Sequence, residues 1–271
     1  MEAGYRVHLT HTCTARQYVG LKHTDDRHDA RWLAHMLALG LLPTGYIYPK
    51  EDRMVRDLLR RRSFLVRSRS GFLLSMRGSV ERLTAQRVSA NEIQRWTGGN
   101  LEELIKHPAA RMGIQAFLAV VHTLSAEIKR LEKEVLRQAR QREELAFLRT
   151  VWGVGPLLGM TILYEVGEIG RFPRVGDFAS YSRLVESKWT SNLKKKGSGN
   201  RKNGNPYLSW AFSQASHFAC QHYEEARKFY QRKRARTNGI VANRALAHKL
   251  ARASYYVMRD KVVFDPERVF G

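Results

Sequence analysis

A chain of 271 residues, 43% of them hydrophobic, is long enough for one large domain or two ordinary ones and apolar enough to bury a core, which excludes a disordered polyelectrolyte. Its 47 Lys and Arg against 25 Asp and Glu leave a formal charge of +22, more than solubility asks for, so a polyanionic partner is expected. No apolar run of membrane-spanning length, lipidation signal or signal-peptide pattern is visible, and Cys13 and Cys220 lack metal-ligand spacing. Nucleic acid in a reducing cytoplasm is therefore expected over an anionic membrane, a disulfide scaffold or a zinc finger.

In chain order, Tyr5 to Leu9 alternates like a strand at the very start of the sequence. With little strand signal after it, it would expose its edges unless it joins a sheet that this chain does not encode, a first hint of truncation. Thr24 or Asp25 then caps a helix whose Trp32, Leu33, Met36, Leu37 and Leu39 share a face ending at Gly40 and Pro43. Asp26 and Asp29 lie three apart on that helix, so two carboxylates can address one point, as a hard cation such as Mg²⁺ requires. Acids in a first turn are equally explained by the helix dipole, and two carboxylates make an incomplete metal site.

From Glu51 to Arg87 the spacing predicts a basic helix in which Val55, Leu58, Leu59, Phe64, Leu65 and Phe72 alternate with arginines, Arg60, Arg61 and Arg62 at its centre. Guanidinium forks bind phosphates bidentately, so contact with a nucleic-acid backbone is expected, a solvated basic face being the plain alternative. After a break at 96–100, Ile114, Leu118, Val121, Leu124, Ile128, Leu131 and Val135 form a coiled-coil seam that lapses at Gln138 and Arg142. That seam can pair within the chain or between protomers, with dimerisation preferred.

Val151 to Pro156 reads as the turn of a helix-hairpin-helix, where Gly153 and Gly155 would bring backbone N–H groups close to a phosphate; an ordinary helix–helix turn is the alternative. A short amphipathic helix at 177–184 leads into the most basic stretch, from Val185 to Trp210. There Lys188, Lys194, Lys195, Lys196, Arg201 and Lys202 accompany Gly197, Gly199 and Gly204, with no acid after Glu186. Pro206 opens a helix with Leu208, Ala211, Phe212, Ala215, Phe218 and Ala219 on its inner face. Arg232 to Arg236 is a further basic patch, and a last helix at 243–257 turns Leu246, Leu250 and Tyr256 inward. No internal repeat or low-complexity segment occurs.

Several of these stretches together resemble one family. The run His23-Thr24-Asp25-Asp26-Arg27-His28-Asp29-Ala30, the segment 42–50, Gly153-Val154-Gly155-Pro156, Arg171-Phe172-Pro173 and the run from Gly197 to Leu208 are similar, in order, to the DEDD-type bacterial insertion-sequence transposases, the IS-one-ten group of bridge-RNA-guided recombinases. The resemblance implies a RuvC-like, RNase H-type N-terminal domain with four acids, a helical coiled coil, and a C-terminal domain carrying a serine. The last two acids would be Asp26 and Asp29. The first Asp and the Glu have no counterpart, which implies a chain shortened at its N-terminus or a start assigned internally.

The family's serine matches Ser191 best, with Ser187 and Ser198 as alternatives. Attack by its hydroxyl on a phosphodiester would give a transient phosphoserine link. The expected fold is mainly α: residues 1–83 as a RuvC-like remnant with the basic helix, 84–148 as a coiled-coil connector, and 149–271 as a transposase domain. The expected function is DNA strand cleavage and exchange by an insertion-sequence transposase, with DNA and a structured guide RNA as partners, Mg²⁺ as cofactor and a homo-oligomer as the working form. The alternative is a catalytically inactive nucleic-acid-binding fragment.

Overall fold

The structure, a computed structural model, describes residues 4–10, 25–139, 142–185, 188–191, 194–198 and 203–271. These residues are mainly helical and divide into two units, Met1–Lys50 and Glu51–Gly271. The boundary expected near residue 83 falls at the end of the helix Lys50–Thr84.

In the first unit, α1 (Asp26–Ala38) begins where the Asp25 carboxylate accepts the His28 backbone N–H at 2.7 Å, so Asp25 is the cap. Met36 is buried, whereas Leu37 and Leu39 of the expected apolar face are exposed. Residues 5–9 do not form a strand. One antiparallel bridge joins Thr10 to Thr44, supported by Gly45 N–H donating to Leu9 O at 2.6 Å and the Thr10 hydroxyl donating to Pro43 O at 2.8 Å. Alternation alone cannot extend a ladder without a second strand to pair with.

In the second unit, α2 (Lys50–Thr84) runs antiparallel to α5 (Pro108–Ala139): Arg62 meets Glu132, Arg69 meets Ser125 and Phe72 meets Phe117. Between these helices lie α3 (Ala90–Ile93), started by a Ser89–Glu92 capping box, and α4 (Gly98–Leu104). Leu73, Met76 and Val80 of α2, Ile93, Trp96 and Leu101, and Ile114, Leu118 and Val121 of α5 share one apolar cluster. The upper half of the predicted seam is thus buried within the chain. The lapse in the seam is the break between α5 and α6 (Glu143–Leu148).

The larger core surrounds α7 (Pro156–Val166), in which every residue from Leu158 to Val166 is buried. A helix apolar all round needs neighbours on all sides. They include α5, α6 and α9 (Pro206–His222), with α8 (Val175–Tyr181) and α10 (Glu224–Arg236) packed on α11 (Gly239–Asp260) and a short α12 (Pro266–Phe270) at the C-terminus. β1 (Lys188–Ser191) and β2 (Lys194–Ser198) form a two-stranded antiparallel hairpin. Trp152 stacks between Tyr223, at 4.5 Å, and Phe270, at 5.2 Å, fixing the α6–α7 turn to the C-terminal helices.

Two inward assignments are corrected. Phe218 is 43% exposed, and the buried tyrosine of α11 is Tyr255, whose hydroxyl donates to Phe172 O at 3.0 Å, while Tyr256 is 39% exposed. A hydroxyl that finds a buried carbonyl outweighs an apolar spacing one residue away. Among the described residues no helix is long and apolar enough to cross a membrane.

Candidate nucleic-acid interface

The basic loop rises from a fixed base. Its entrance, after α8, places Arg183 in the left-handed region at φ 56°, and its exit places Gly204 at φ 90°. Arg183 Nε donates to the carbonyls of Asn203 and Gly204 at 3.1 and 3.0 Å, tying entrance to exit, and Arg244 of α11 donates to the Arg183 carbonyl. A Cβ on Gly204 would stand 2.5 Å from Tyr181 O, so the exit demands glycine for space as well as for φ.

Asn205 secures the exit from inside. It is buried, its Oδ1 accepts the Tyr207 and Leu208 N–H groups at 2.9 and 3.2 Å, and its Nδ2 donates to Glu165 Oε2 at 2.7 Å. Glu165, fully buried in α7, also receives the Arg60 fork, Nε to Oε1 at 2.6 Å and Nη2 to Oε2 at 2.7 Å. Arg60 in turn lies 4.7 Å from the Tyr207 ring centroid. One carboxylate therefore joins α2, α7 and the start of α9. A buried charge needs this degree of satisfaction to be tolerated.

Between entrance and exit in the sequence, β1 and β2 pair Ser191 with Lys194, Thr190 with Lys195, Trp189 with Gly197 and Lys188 with Ser198, with an irregularity between Trp189 and Thr190. The hairpin brings the backbone of Ser191 beside that of Lys194, whose side chain is exposed, and puts Lys188, Lys195 and Lys196 on the same two strands. Ser198 is on β2. Arg201, Lys202 and Ser187 lie outside the described residues, as does Cys13.

The arginines of α2 separate into different roles. Arg60 serves the buried network. Arg62 donates twice to Glu132 Oε1, at 2.9 and 2.6 Å, and so clamps α2 to α5. Arg61 is exposed and lines a shallow recess with Phe64, which is 62% exposed, and Arg130. It is the exposed member of the triplet, and Asp57 and Glu127 line the same recess.

The two turn glycines separate as well. Gly153, at φ 78°, lies so close to α9 that a Cβ would stand 2.0 Å from Ala215 O, which gives it a packing role. Gly155 is exposed, has open space at its Cβ and caps the N-terminus of α7. Asp26 and Asp29 are exposed on the first turn of α1, while Asp25 is engaged in capping. No group of three or more His, Cys, Asp or Glu able to hold a metal occurs among the described residues. A hard divalent cation takes about six oxygen ligands, so this pair does not make a metal site on its own.

Sequence reading passed over Glu165, Asn205 and Arg183. Glu165 carried a legible signal as the one charged residue of an apolar helix, where an acid is tolerated only if paired.

Residues 145–231 match the family described as Transposase IS116/IS110/IS902. The chain is 25% identical over 276 residues, 98% of this chain and 80% of the relative, to a Pseudomonas aeruginosa PAO1 protein named probable family 20 transposase. It is 24% identical over 146 residues, 53% of this chain and 36% of the relative, to the insertion element IS116 uncharacterized 44.8 kDa protein of Streptomyces clavuligerus. The matched segment runs from α6 into α10 and contains the glycine turn, Glu165, the hairpin and Asn205.

Proposed function

We propose that this chain, which carries the IS116/IS110/IS902 transposase domain over residues 145–231, cuts and exchanges DNA strands of an insertion sequence through Ser191. The observation that carries the proposal is the Ser191–Lys194 pair on a lysine-rich hairpin whose base is fixed by Arg183, Gly204 and Asn205. A nucleophile for a large flexible polyanion needs a mobile approach and a rigid footing, and this arrangement supplies a footing next to positive charge.

In the step proposed, the Ser191 hydroxyl oxygen attacks phosphorus while one bridging P–O bond breaks. The electron pair of that bond leaves with the deoxyribose oxygen, which takes up a proton, and the serine proton passes to solvent. The number of phosphate ester bonds is unchanged, so attack by another deoxyribose hydroxyl reverses the link and rejoins strands without an external energy source. Lys188, Lys194, Lys195 and Lys196 would balance the charge that builds on the phosphoryl oxygens.

Arg61 and Gly155 extend the proposed contact to the DNA backbone, with Arg201 and Lys202 on the loop. Asp26 and Asp29 are proposed as two contributors to a divalent-cation site. A structured RNA as guide, a homo-oligomer as the working form and a cytoplasmic location complete the reading.

The test is a strand-exchange assay with donor and target DNA, with and without a candidate guide RNA, run beside DNA binding by the same preparation. Exchange that depends on this chain supports the proposal. Binding without exchange moves the reading to a nucleic-acid-binding protein.

A further inference from the structure

Away from the loop, α10, α11 and the segment 262–271 enclose an open cavity of about 1170 Å³. Much of its lining is cationic: Arg232 and Arg236 from α10, and Lys249 and Arg252 from α11, with the imidazole of His248 beside them. Among the described residues none of these four cations pairs with a carboxylate. Of the two acids in the lining, Asp260 pairs with Arg259 at 2.7 Å and Asp265 with Arg268, also of the lining, at 3.3 Å. Burial first, and then the neighbouring Arg232 charge, hold the Lys249 ammonium below its usual range. Lys249 is fixed in place over Phe229 and Phe270, at 5.0 and 5.2 Å, and donates to the Val269 carbonyl.

The rest of the lining has a different chemistry. Val262 is 47% exposed, Val263 64% and Tyr256 39%, and the Arg259 guanidinium lies over the Tyr256 ring at 4.9 Å. Uncompensated cations call for a polyanion, and exposed aromatic and apolar surface beside them calls for flat, unpaired faces. A duplex presents phosphates but keeps its bases stacked inside. A single strand presents both.

We propose that this groove is a second nucleic-acid seat that takes a single strand, with phosphates on Arg232, Arg236 and Arg252 and a base stacked on Tyr256. The seat is a feature separate from the loop and does not depend on the role of Ser191. It also gives a use to the basic patch at 232–236.

The test is fluorescence anisotropy of the whole chain with a labelled oligo-dT of about 12 nucleotides and a blunt duplex of similar length. Arg232→Glu with Arg236→Glu, both on exposed positions, should weaken oligo-dT binding at least about 10-fold, because two phosphate contacts become repulsions. Tyr256→Leu, which keeps apolar bulk but removes the ring, should weaken it at least about 5-fold without changing the salt dependence. Duplex affinity should change less than about 2-fold in Tyr256→Leu, and less than oligo-dT affinity in the charge-reversed chain. Circular dichroism confirms that each variant is folded. Selective single-strand loss in both supports the seat; unchanged oligo-dT affinity in either, or a parallel fall for duplex, overturns it.

Discussion

Asn205 and Glu165 meet inside the second unit, amide Nδ2 to carboxylate Oε2 at 2.7 Å, and through that bond the exit of the basic loop is tied to the centre of the core. The same Asn205 side chain starts α9 and the same Glu165 holds Arg60, so loop geometry and core stability share a residue pair. Glu165→Ala should cost about 2–3 kcal/mol in urea unfolding, below the roughly 3–5 expected for breaking a fully buried pair, because Arg60 is 36% exposed and partly hydrated once released. Wild-type stability in that variant would remove Glu165 from the centre of this account.

The arginine triplet offers a comparison among adjacent residues. Arg61→Ala should lower DNA affinity and reduce the log–log salt slope by about one unit while leaving the unfolding midpoint unchanged. Arg62→Ala should do the reverse, losing about 1–2 kcal/mol of stability with its two bonds to Glu132. Equal effects of the two on binding would show that Arg62 leaves Glu132 for phosphate.

Gly153 and Gly155 make a second internal comparison. Gly153→Ala combines a left-handed φ with a Cβ 2.0 Å from Ala215 O and should cost about 2–4 kcal/mol, read from thermal or urea unfolding. Gly155→Ala has open space and an ordinary φ and should stay within about 1 kcal/mol. Any binding loss in Gly155→Ala then reports contact, since its packing is unchanged.

His248 gives a dependence on pH. Burial, and then the charge of Arg252, push its imidazole below the usual value of 6.5, so the unfolded chain binds the proton more readily than the folded one. Stability should therefore be full above about pH 7 and fall as pH drops through 6.5 towards the depressed folded value. Arg232, Lys233 and Arg236 of α10, Lys249 and Asp260 of α11, and Asp265 and Arg268 line the same cavity and set the field there. His248→Gln should flatten the pH profile between 7.5 and 5, measured by urea unfolding; an unchanged slope would assign the acid sensitivity to another group.

How far the sequence went depends on whether a signal was local. The 3.5-residue spacing of Ile114, Leu118, Val121, Ile128 and Val135 announced α5, and Pro206 with the Ala-rich face announced α9, since both follow from one stretch of chain. What Arg60 and Arg62 do was not legible, because their acids stand 105 and 70 residues away and a paired arginine has the same letter as a phosphate-binding one. Tyr255 and Tyr256 are adjacent, and a hydroxyl partner on Phe172 decides which turns inward. Ser191 was singled out by resemblance, and its position on the hairpin beside Lys194 is information that composition could not hold.

The central claim is that Ser191 attacks the phosphodiester, and the covalent link it would form can be measured directly. The chain is incubated with insertion-sequence-end DNA, quenched in denaturant, and the protein–DNA adduct is resolved by gel and mapped by mass spectrometry, for the unaltered chain and for Ser191→Ala. An adduct is expected on the peptide that contains Ser191, abolished by Ser191→Ala while DNA binding persists. An adduct of undiminished yield in Ser191→Ala, or one mapped to Ser187 or Ser198, would contradict it.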